Sequence, residues 1–200
     1  MKRKDFIRNS SGILLGSIIS PNLMANLNPS STINMGVIGT GGRGKGIIKL
    51  LNNLPGINVI AVCDTLSFRL KEGFDLIRNN KNSKRYKDYR KLLDNKNVDG
   101  VIISTPLNTH DKIAVDALDA DKHVYCEKTL AKGAAATTRI VNKCKNSNKI
   151  FQTGHQYHSS RLYTKLVDMI EDGKVGKITS IEAQWNRNGN WRKPVPDPSL

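Results

Sequence analysis

Short apolar runs that alternate with helical patterns constrain the fold of this 200-residue chain more than any other feature. The runs are continuous rather than alternating, and helical segments separate them, which is typical of a parallel sheet covered on both faces. Because crossover connections are right-handed, this pattern predicts an α/β fold with a doubly wound (Rossmann) parallel sheet. The five predicted strands are INMGVIG, INVIAVCD, VDGVIISTP, KHVYCEK and KIFQTGH.

Apolar residues at helical spacing lie between the predicted strands. The predicted helices are residues 42–54, a segment around Leu70, Phe74 and Ile77, a short one in YKDYRKLL, a segment containing Ala114 and Leu118, and residues 134–145.

The chain changes character after residue 155. One more helix, closed by Gly173, is predicted from the spacing of Leu162, Leu166, Met169 and Ile170. Residues 177–191 then alternate between apolar and polar side chains, which predicts a half-exposed strand of an antiparallel sheet. The predicted domains are residues 1–32 (export signal and linker), 33–155 (Rossmann domain) and 156–200 (the beginning of an incomplete α+β domain).

The first 30 residues have the pattern of an export signal. A basic segment, MKRKDFIRNS, precedes the apolar segment SGILLGSIIS, Pro21 ends this run, and Ala25 offers a cleavage point. The apolar run is shorter than the ~20 residues of a spanning helix, so we predict no stable membrane span. RKDFI resembles a twin-arginine signal, although its basic pair is Arg3 and Lys4. We expect export to the periplasm, with an uncleaved tail on a cytoplasmic protein as the alternative.

The chain is strongly basic, with a formal net charge of +15. Such a charge suits nucleic acids or anionic surfaces. However, the lysines are interleaved with asparagines, as in RNNKNSKRYKDYRKLLDNKN, and no nucleic-acid-binding motif with aromatic residues accompanies them. We therefore predict exposed basic faces and no nucleic-acid partner.

The three cysteines, Cys63, Cys126 and Cys144, are odd in number and far apart. This spacing predicts neither a disulfide framework nor a metal site.

A glycine-rich turn, GTGGRG, follows the first predicted strand and opens the first helix. In this context the G-x-G-x-x-G pattern indicates dinucleotide binding, because glycines let the backbone approach a pyrophosphate at a helix N-terminus. An arginine in the turn adds a charge-assisted contact to phosphate. The predicted cofactor-binding residues here are Gly39, Thr40, Gly41, Gly42, Arg43 and Gly44.

Asp64 ends the second predicted strand. A carboxylate at this position accepts hydrogen bonds from the adenosine ribose and repels a 2′-phosphate, so we predict NAD rather than NADP. The alternative role for Asp64 is a helix N-cap.

Ligands of doubly wound sheets bind at the carboxyl ends of the strands. This rule selects Thr105 and Pro106, which we place on the adenosine side, and Asn108 and His110, which begin the next helix. Asn108 is alternatively an N-cap. The rule also selects the adjacent charges Glu127 and Lys128, and it selects His155.

The segments GVIGTGGRG, VCD, STPLNTH, KHVYCEKTLA and FQTGHQYH together resemble the Gfo/Idh/MocA family of NAD(P)-dependent oxidoreductases, and the tail AQWNRNGNWRKPVPDP resembles its exported bacterial members. The resemblance covers roughly residues 33–190. It implies that Glu127 contacts the nicotinamide ribose, that Lys128 is the catalytic acid or base, and that Gln156 lies near the nicotinamide. It also directs Tyr157 or a catalytic His158 toward the substrate.

Thr129 replaces the proline of the family's Glu-Lys-Pro motif, so a trans peptide is expected after Lys128.

Two tryptophans follow in the tail, Trp185 and Trp191. Their indole faces suit sugar rings, so they either line a sugar site or belong to the core of a sheet.

The family resemblance implies an NAD-dependent oxidoreductase that acts on a hydroxyl of a sugar or polyol, and we expect a homo-oligomer as the full-length form. The resemblance to exported members also suggests an alternative, an NAD-dependent glycoside hydrolase that uses transient oxidation and elimination with a tightly bound, recycled NAD. The other is a non-catalytic nucleotide-binding module.

Overall fold

The computed structural model describes residues 32–186, and a six-stranded sheet forms its centre. The strands are β1 (Ile33–Ile38), β2 (Ile57–Cys63), β3 (Lys84–Tyr86), β4 (Gly100–Ile103), β5 (His123–Glu127) and β6 (Phe151–Gly154). Their order is β3-β2-β1-β4-β5-β6, and every neighbouring pair is parallel. The direction of winding reverses between β1 and β4, as in a doubly wound sheet. The predicted fold class is confirmed.

Six α-helices lie within residues 32–186: α1 (Gly42–Leu51), α2 (Ser67–Asp75), α3 (Tyr89–Leu93), α4 (His110–Asp119), α5 (Ala134–Lys145) and α6 (Arg161–Glu171). The bounds of α5 agree with the prediction. The first helix ends three residues earlier than predicted, because Asn52 is already its C-cap and the chain turns toward β2 through Gly56 at φ +74°.

Apolar side chains on both faces of the sheet form two buried clusters. On one face, Leu92 of α3 and Ile140 of α5 pack with the β4 residues Val101 and Ile103. On the other face, α1 and α2 pack against the sheet; this cluster contains Val37, Ile47, Ile48, Val59, Val62, Leu70, Ile77 and Ile102. All four residues of β4 are buried, which explains its uninterrupted apolar sequence. Full burial of each large aliphatic side chain contributes roughly 1.5–3 kcal/mol.

The register brings the ends of the strands to one edge of the sheet. Ile38 of β1 pairs with Cys63 of β2 and with Ile103 of β4, and Glu127 of β5 pairs with Gly154 of β6. The segments that follow these strands therefore leave the sheet side by side, at the edge where doubly wound proteins bind their ligands.

The edge strand β3 was not predicted, since we placed Tyr86 in a helix. Lys84 pairs with Ala61, and Tyr86 pairs with Cys63. The helix α3 begins only after Asp88, whose carboxylate accepts a hydrogen bond from the N–H of Arg90 and caps it. The strand is short and largely exposed, so its sequence lacks the apolar run of a buried strand.

The region after β6 confirms the predicted helix, which is α6. The strand predicted over 177–191 is wrong for residues 177–186, which adopt no regular secondary structure. An isolated strand has no neighbour for its backbone hydrogen bonds, and no second sheet lies within residues 32–186 to supply one. The predicted export signal and the end of the predicted strand, with Trp191, lie outside the described residues. None of the described helices has the length and apolar content needed to cross a bilayer.

Candidate functional site

Two glycines of the turn after β1 are required by the packing of the chain itself. Gly39 has φ +90°, and a Cβ there would lie 2.8 Å from the carbonyl carbon and oxygen of Ser104. A Cβ at Gly44 would lie 1.9 Å from the carbonyl oxygen of Gly39. These two glycines allow α1 to start directly beneath β1 and beside β4.

Two other glycines of the turn face open space. A Cβ at Gly42 would meet no atom within 4 Å, and one at Gly41 would meet only Nη1 of Arg69, at 3.8 Å. The N-cap of α1 is Gly41, so no side chain caps the first N–H groups of this helix. The turn therefore fits a dinucleotide pyrophosphate, which would find backbone donors and no obstructing side chain.

The carboxylate of Asp64 braces this turn. Its Oδ2 accepts a hydrogen bond from the N–H of Thr40 at 2.8 Å, and its Oδ1 accepts one from the N–H of Leu66 at 3.0 Å. Thr40 is fully buried and donates its hydroxyl to the carbonyl of Arg69 at 2.8 Å. The N-cap of α2 is Leu66, so the alternative role of Asp64 as that cap is wrong. A carboxylate has about four acceptor positions, so Asp64 retains acceptors for ribose hydroxyls.

His110 is buried behind the ends of β4 and β5. Its Nε2 lies 2.9 Å from the carbonyl oxygen of Thr105, and its Nδ1 lies 3.0 Å from the carbonyl oxygen of Thr129. Both ring nitrogens therefore face carbonyl oxygens of the backbone, and the ring links the segments that follow two strands. His110 also lines the cleft described below, so its contact with the cofactor stays a prediction.

Asn108 and Pro106 lie outside the cleft described below. Asn108 is exposed in the turn Leu107–Thr109, and the N-cap of α4 is Thr109. The predicted cap is wrong, because this extra turn delays the start of the helix to His110. Pro106 is also exposed.

Glu127, at the end of β5, is buried and ion-paired. Its Oε1 accepts a hydrogen bond of 2.6 Å from Nη2 of Arg43, which also donates to Oε1 of Gln156 at 3.2 Å. The hydrogen bond to Glu127 holds the pKa of the Arg43 guanidinium above its ordinary value. The hydroxyl of Tyr125 lies 3.5 Å from the same carboxylate oxygen, and burial, followed by the charge of Glu127, raises the pKa of this phenol.

Lys128 is exposed at the mouth of the cleft. No ion pair or hydrogen bond joins its ammonium to another of the described residues. The Lys128–Thr129 peptide is cis, contrary to the trans form expected without a proline.

Exposed aromatic and imidazole rings form the other part of the site, from His155 through the turn Gln156–Ser159 and beyond it. The rings of His155 and His158 meet edge to face, with centroids 6.0 Å apart. Tyr157 lies with its ring centroid 5.7 Å from that of Tyr163 and 6.2 Å from that of Trp185. Within residues 32–186, no group of three or more His, Cys, Asp or Glu side chains is arranged to hold a metal ion.

A cleft of about 790 Å³ lies at the ends of β4, β5 and β6 and reaches the glycine-rich turn through Arg43, while the other predicted residues of that turn and Asp64 do not line it. It is lined by Arg43, Ser104, Thr105, His110, Glu127, Lys128, Gly154, His155, Gln156, Tyr157, His158 and Trp185. Most of these residues were predicted for the site from their places after strands or from the family resemblance, and the fold brings them together at one cleft. Trp185 is exposed here and does not belong to the core of a sheet.

Two residues of the cleft were not predicted. Ser104 donates its hydroxyl to the carbonyl of Gly39 at 2.6 Å and so joins β4 to the glycine-rich turn. Gly154 faces Glu127, and its Cβ would lie 3.0 Å from Oε1 of that carboxylate. Ser104 lies directly before the predicted Thr105, and Gly154 directly before His155, so their places at strand ends were the available signal.

Two of the cysteines behave as buried apolar residues. Cys63 and Cys126 lie in the core, and burial raises the pKa of each thiol to about 12. Both thiols therefore stay protonated at neutral pH.

The glycine-rich turn at an uncapped helix, the carboxylate after β2 and the lysine after β5 define a dinucleotide-binding domain of the oxidoreductase type. Residues 33–155 match the family model described as "Oxidoreductase family, NAD-binding Rossmann fold", and the chain belongs to this Gfo/Idh/MocA family. The predicted family and the predicted NAD cofactor are confirmed.

Similar proteins include an inositol dehydrogenase and a glycosyl hydrolase family 109 protein. The chain is 34% identical over 155 residues to an inositol 2-dehydrogenase of Salmonella typhimurium, a match that covers 76% of this chain and 46% of that protein. It is 28% identical over 191 residues to a glycosyl hydrolase family 109 protein of Shewanella woodyi, covering 92% and 39%, respectively. The structure of myo-inositol dehydrogenase from Lactobacillus casei in complex with NAD(H) and myo-inositol is similar, with a TM-score of 0.67, 30% identity and coverage of 72% and 43%. The chain thus spans less than half of the length of these relatives.

Proposed function

We propose that the protein is an NAD-dependent oxidoreductase that transfers hydride between the nicotinamide and a hydroxyl-bearing carbon of a sugar or polyol. The observation that carries this proposal is the position of Lys128. Its ammonium is exposed at the carboxyl end of β5, in the same cleft as Arg43 and Tyr157 and with no partner among residues 32–186. The relatives named as inositol dehydrogenases support a polyol as the substrate class.

The side chains of the cleft suit the proton movements of such a reaction. When bound, the nicotinamide ring accepts or supplies the hydride. Oxidation of a carbinol requires removal of the hydroxyl proton, and Nζ of Lys128 in its neutral amine form can accept that proton. In the reverse direction, the ammonium form of Lys128 stabilises negative charge on the substrate oxygen and returns the proton to it. Glu127 and Gln156 line the cleft beside Lys128, and His158 lines the part of the cleft that we assign to the substrate.

The cofactor preference is assigned to Asp64. We expect Asp64→Asn to weaken NAD binding about tenfold and to reduce the preference for NAD over NADP, since a neutral side chain no longer repels a 2′-phosphate. Binding of both dinucleotides is measured by titration calorimetry. Asp75→Asn is the matched control, because Asp75 is an exposed acid at the end of α2 that pairs with Lys71. Unchanged affinity of Asp64→Asn for NAD would exclude the ribose contact.

The reaction is tested on the full-length protein with polyols such as inositols and with chromogenic glycosides. Reduced cofactor is followed by its absorbance, and sugar release is followed separately. Net formation of NADH from a polyol without glycoside cleavage is the expected result. Binding of NAD with neither activity would instead identify a non-catalytic nucleotide-binding module.

A second candidate function is an NAD-dependent glycoside hydrolase. It is favoured by the match to the Shewanella woodyi protein, which extends over 92% of this chain. In this case the cofactor is recycled in place, so sugar is released with no net NADH. Cleavage of a glycoside under these conditions would overturn the dehydrogenase proposal.

We also propose that the full-length protein is a homo-oligomer. We further propose that it is exported, because residues 1–30 contain a basic segment followed by an apolar one. The N-terminal sequence of the mature protein, determined by mass spectrometry from the periplasmic fraction, tests export; an intact Met1 and a cytoplasmic location would contradict it.

A further inference from the structure

One guanidinium joins three elements at the cleft. Arg43 lies in the first turn of α1, and its Nη2 donates both to Glu127 at the end of β5 and to Gln156 in the turn after β6. Arg43 thus connects the glycine-rich turn with the strand that carries Lys128.

The carboxylate of this pair is shielded from water and depends on the arginine. The side chain of Glu127 is 7% exposed, while that of Arg43 is 42% exposed. A buried carboxylate without a cation is strongly unfavourable. Gly154 supplies the space for it, because a side chain at that position would crowd the Cα and Oε1 atoms of Glu127.

The guanidinium keeps part of its hydrogen-bonding capacity. A guanidinium has five N–H donors on three nitrogens, and the bonds of Arg43 to Glu127 and Gln156 both leave from Nη2. The side chain is also partly open to solvent, so its other nitrogens can reach a ligand. Arg43 stands at the helix N-terminus that favours a pyrophosphate.

We propose that Arg43 is a bridging residue whose Nη2 stays on Glu127 while its remaining N–H groups bind the pyrophosphate of the dinucleotide. This goes beyond a phosphate contact, because it couples the affinity for the cofactor to the charge of Glu127. The inference rests on the proposed function only in requiring that a dinucleotide binds.

The coupling has an electrostatic origin. The pyrophosphate and the Glu127 carboxylate are both negative, and the guanidinium lies between them. Without Arg43, a bound pyrophosphate faces a buried carboxylate with no intervening cation, and the two charges repel each other strongly in this shielded setting. Neutralising Glu127 removes this repulsion, so it restores part of the affinity that loss of Arg43 removes.

The experiment is a double-mutant cycle on the full-length protein with Arg43→Gln, Glu127→Gln and the double variant. ADP is the probe, since it carries the pyrophosphate and lacks the nicotinamide ribose that Glu127 is predicted to contact. Affinities are measured by titration calorimetry. We expect Arg43→Gln to weaken ADP binding about 30-fold when Glu127 is present and only about threefold in the Glu127→Gln background, a coupling on the order of tenfold.

Lys45→Gln is the matched control. Lys45 lies on the same helix and pairs with the exposed Glu72, so this variant removes one positive charge near the turn without touching the cleft. We expect its effect on ADP binding to be less than about twofold, because exposed charges are screened. A loss as large as that of Arg43→Gln would mean that net charge, and not bridging, sets the affinity.

Thermal unfolding without nucleotide identifies variants that fail to fold. If Arg43→Gln does not fold, Arg43→Lys replaces it in the cycle. A lysine has one ammonium instead of a fork of donors, so an ammonium held by Glu127 cannot also bind the pyrophosphate. ADP binding should therefore again fall more when Glu127 is present than in the Glu127→Gln background. Equal losses in both backgrounds would overturn the bridging role. A wild-type protein that binds neither ADP nor NAD would instead overturn the proposed function.

Discussion

Replacing Lys128 by methionine is expected to lower turnover in the full-length protein by a factor on the order of 100 while NAD binding is preserved. Methionine keeps most of the length of the side chain and removes the ammonium. Lys128 has no ion pair or hydrogen bond within the described part of the chain, so its loss breaks no interaction of the fold. The effect should therefore appear in kcat and not in the free energy of unfolding. Steady-state kinetics with the best polyol, together with calorimetric NAD titration and chemical denaturation, measures these quantities.

Lys132→Met is the matched control for this experiment. Lys132 is exposed four residues further along the chain, and it does not line the cleft. The control changes the net charge equally, so it should leave turnover within about twofold of the wild type. If Lys128→Met and Lys132→Met have the same turnover, Lys128 has no catalytic role.

Gly44→Ala is expected to have the largest effect on the fold and on cofactor binding together. Its Cβ would lie 1.9 Å from the carbonyl oxygen of Gly39, a backbone atom that cannot rotate away. The start of α1 must shift, which costs about 3 kcal/mol of the free energy of unfolding, at the upper end for an overpacked site. The turn should lose its geometry for a pyrophosphate, with NAD affinity reduced at least about 100-fold. Chemical denaturation and NAD titration measure the two effects.

Alanine variants of two other glycines in α1 distinguish the effect on stability from the effect on NAD binding. A Cβ meets no atom within 4 Å at Gly42 or at Gly46. Gly46→Ala should therefore stabilise the protein by roughly 0.5–1 kcal/mol and leave NAD binding unchanged. Gly42→Ala should fold normally and weaken NAD binding, because the methyl group occupies the space into which the pyrophosphate must come. Normal NAD affinity in Gly44→Ala would show that the turn does not hold the phosphate.

The parts of the fold that follow from buried apolar sequence were predicted well. The strand β4 is apolar at three consecutive positions and buried throughout, and α5 has a clear helical pattern. The edge strand β3 was missed because three polar or half-exposed residues carry no apolar signal, and its pairing with β2 depends on the tertiary structure. Residues 177–186 have the alternation of a strand, but alternation cannot supply a neighbouring strand.

The candidate site shows the same division. Spacing along the chain sufficed to place Gly39, Lys128 and His155 at strand ends, whereas Gln156 was predicted from the family resemblance. The ion pair of Arg43 with Glu127 joins residues 84 positions apart, and no local pattern indicates which charges will meet. Likewise, the environment of His110 depends on two carbonyl groups from separate loops, which composition and periodicity do not report.

The double contact of His110 has a consequence for the dynamics of the cleft. One imidazole lies between the loops after β4 and β5 and is within hydrogen-bond distance of a carbonyl oxygen in each, so we expect these loops to move together. The histidine is buried and packed at the base of α4, where amide hydrogen exchange should be slow. We expect the exchange of ligands to depend on the opposite side of the cleft, the exposed segment from His155 onward, whose amides should exchange much faster. In this view, ligand entry depends on movement of the segment from His155 onward relative to the loops after β4 and β5.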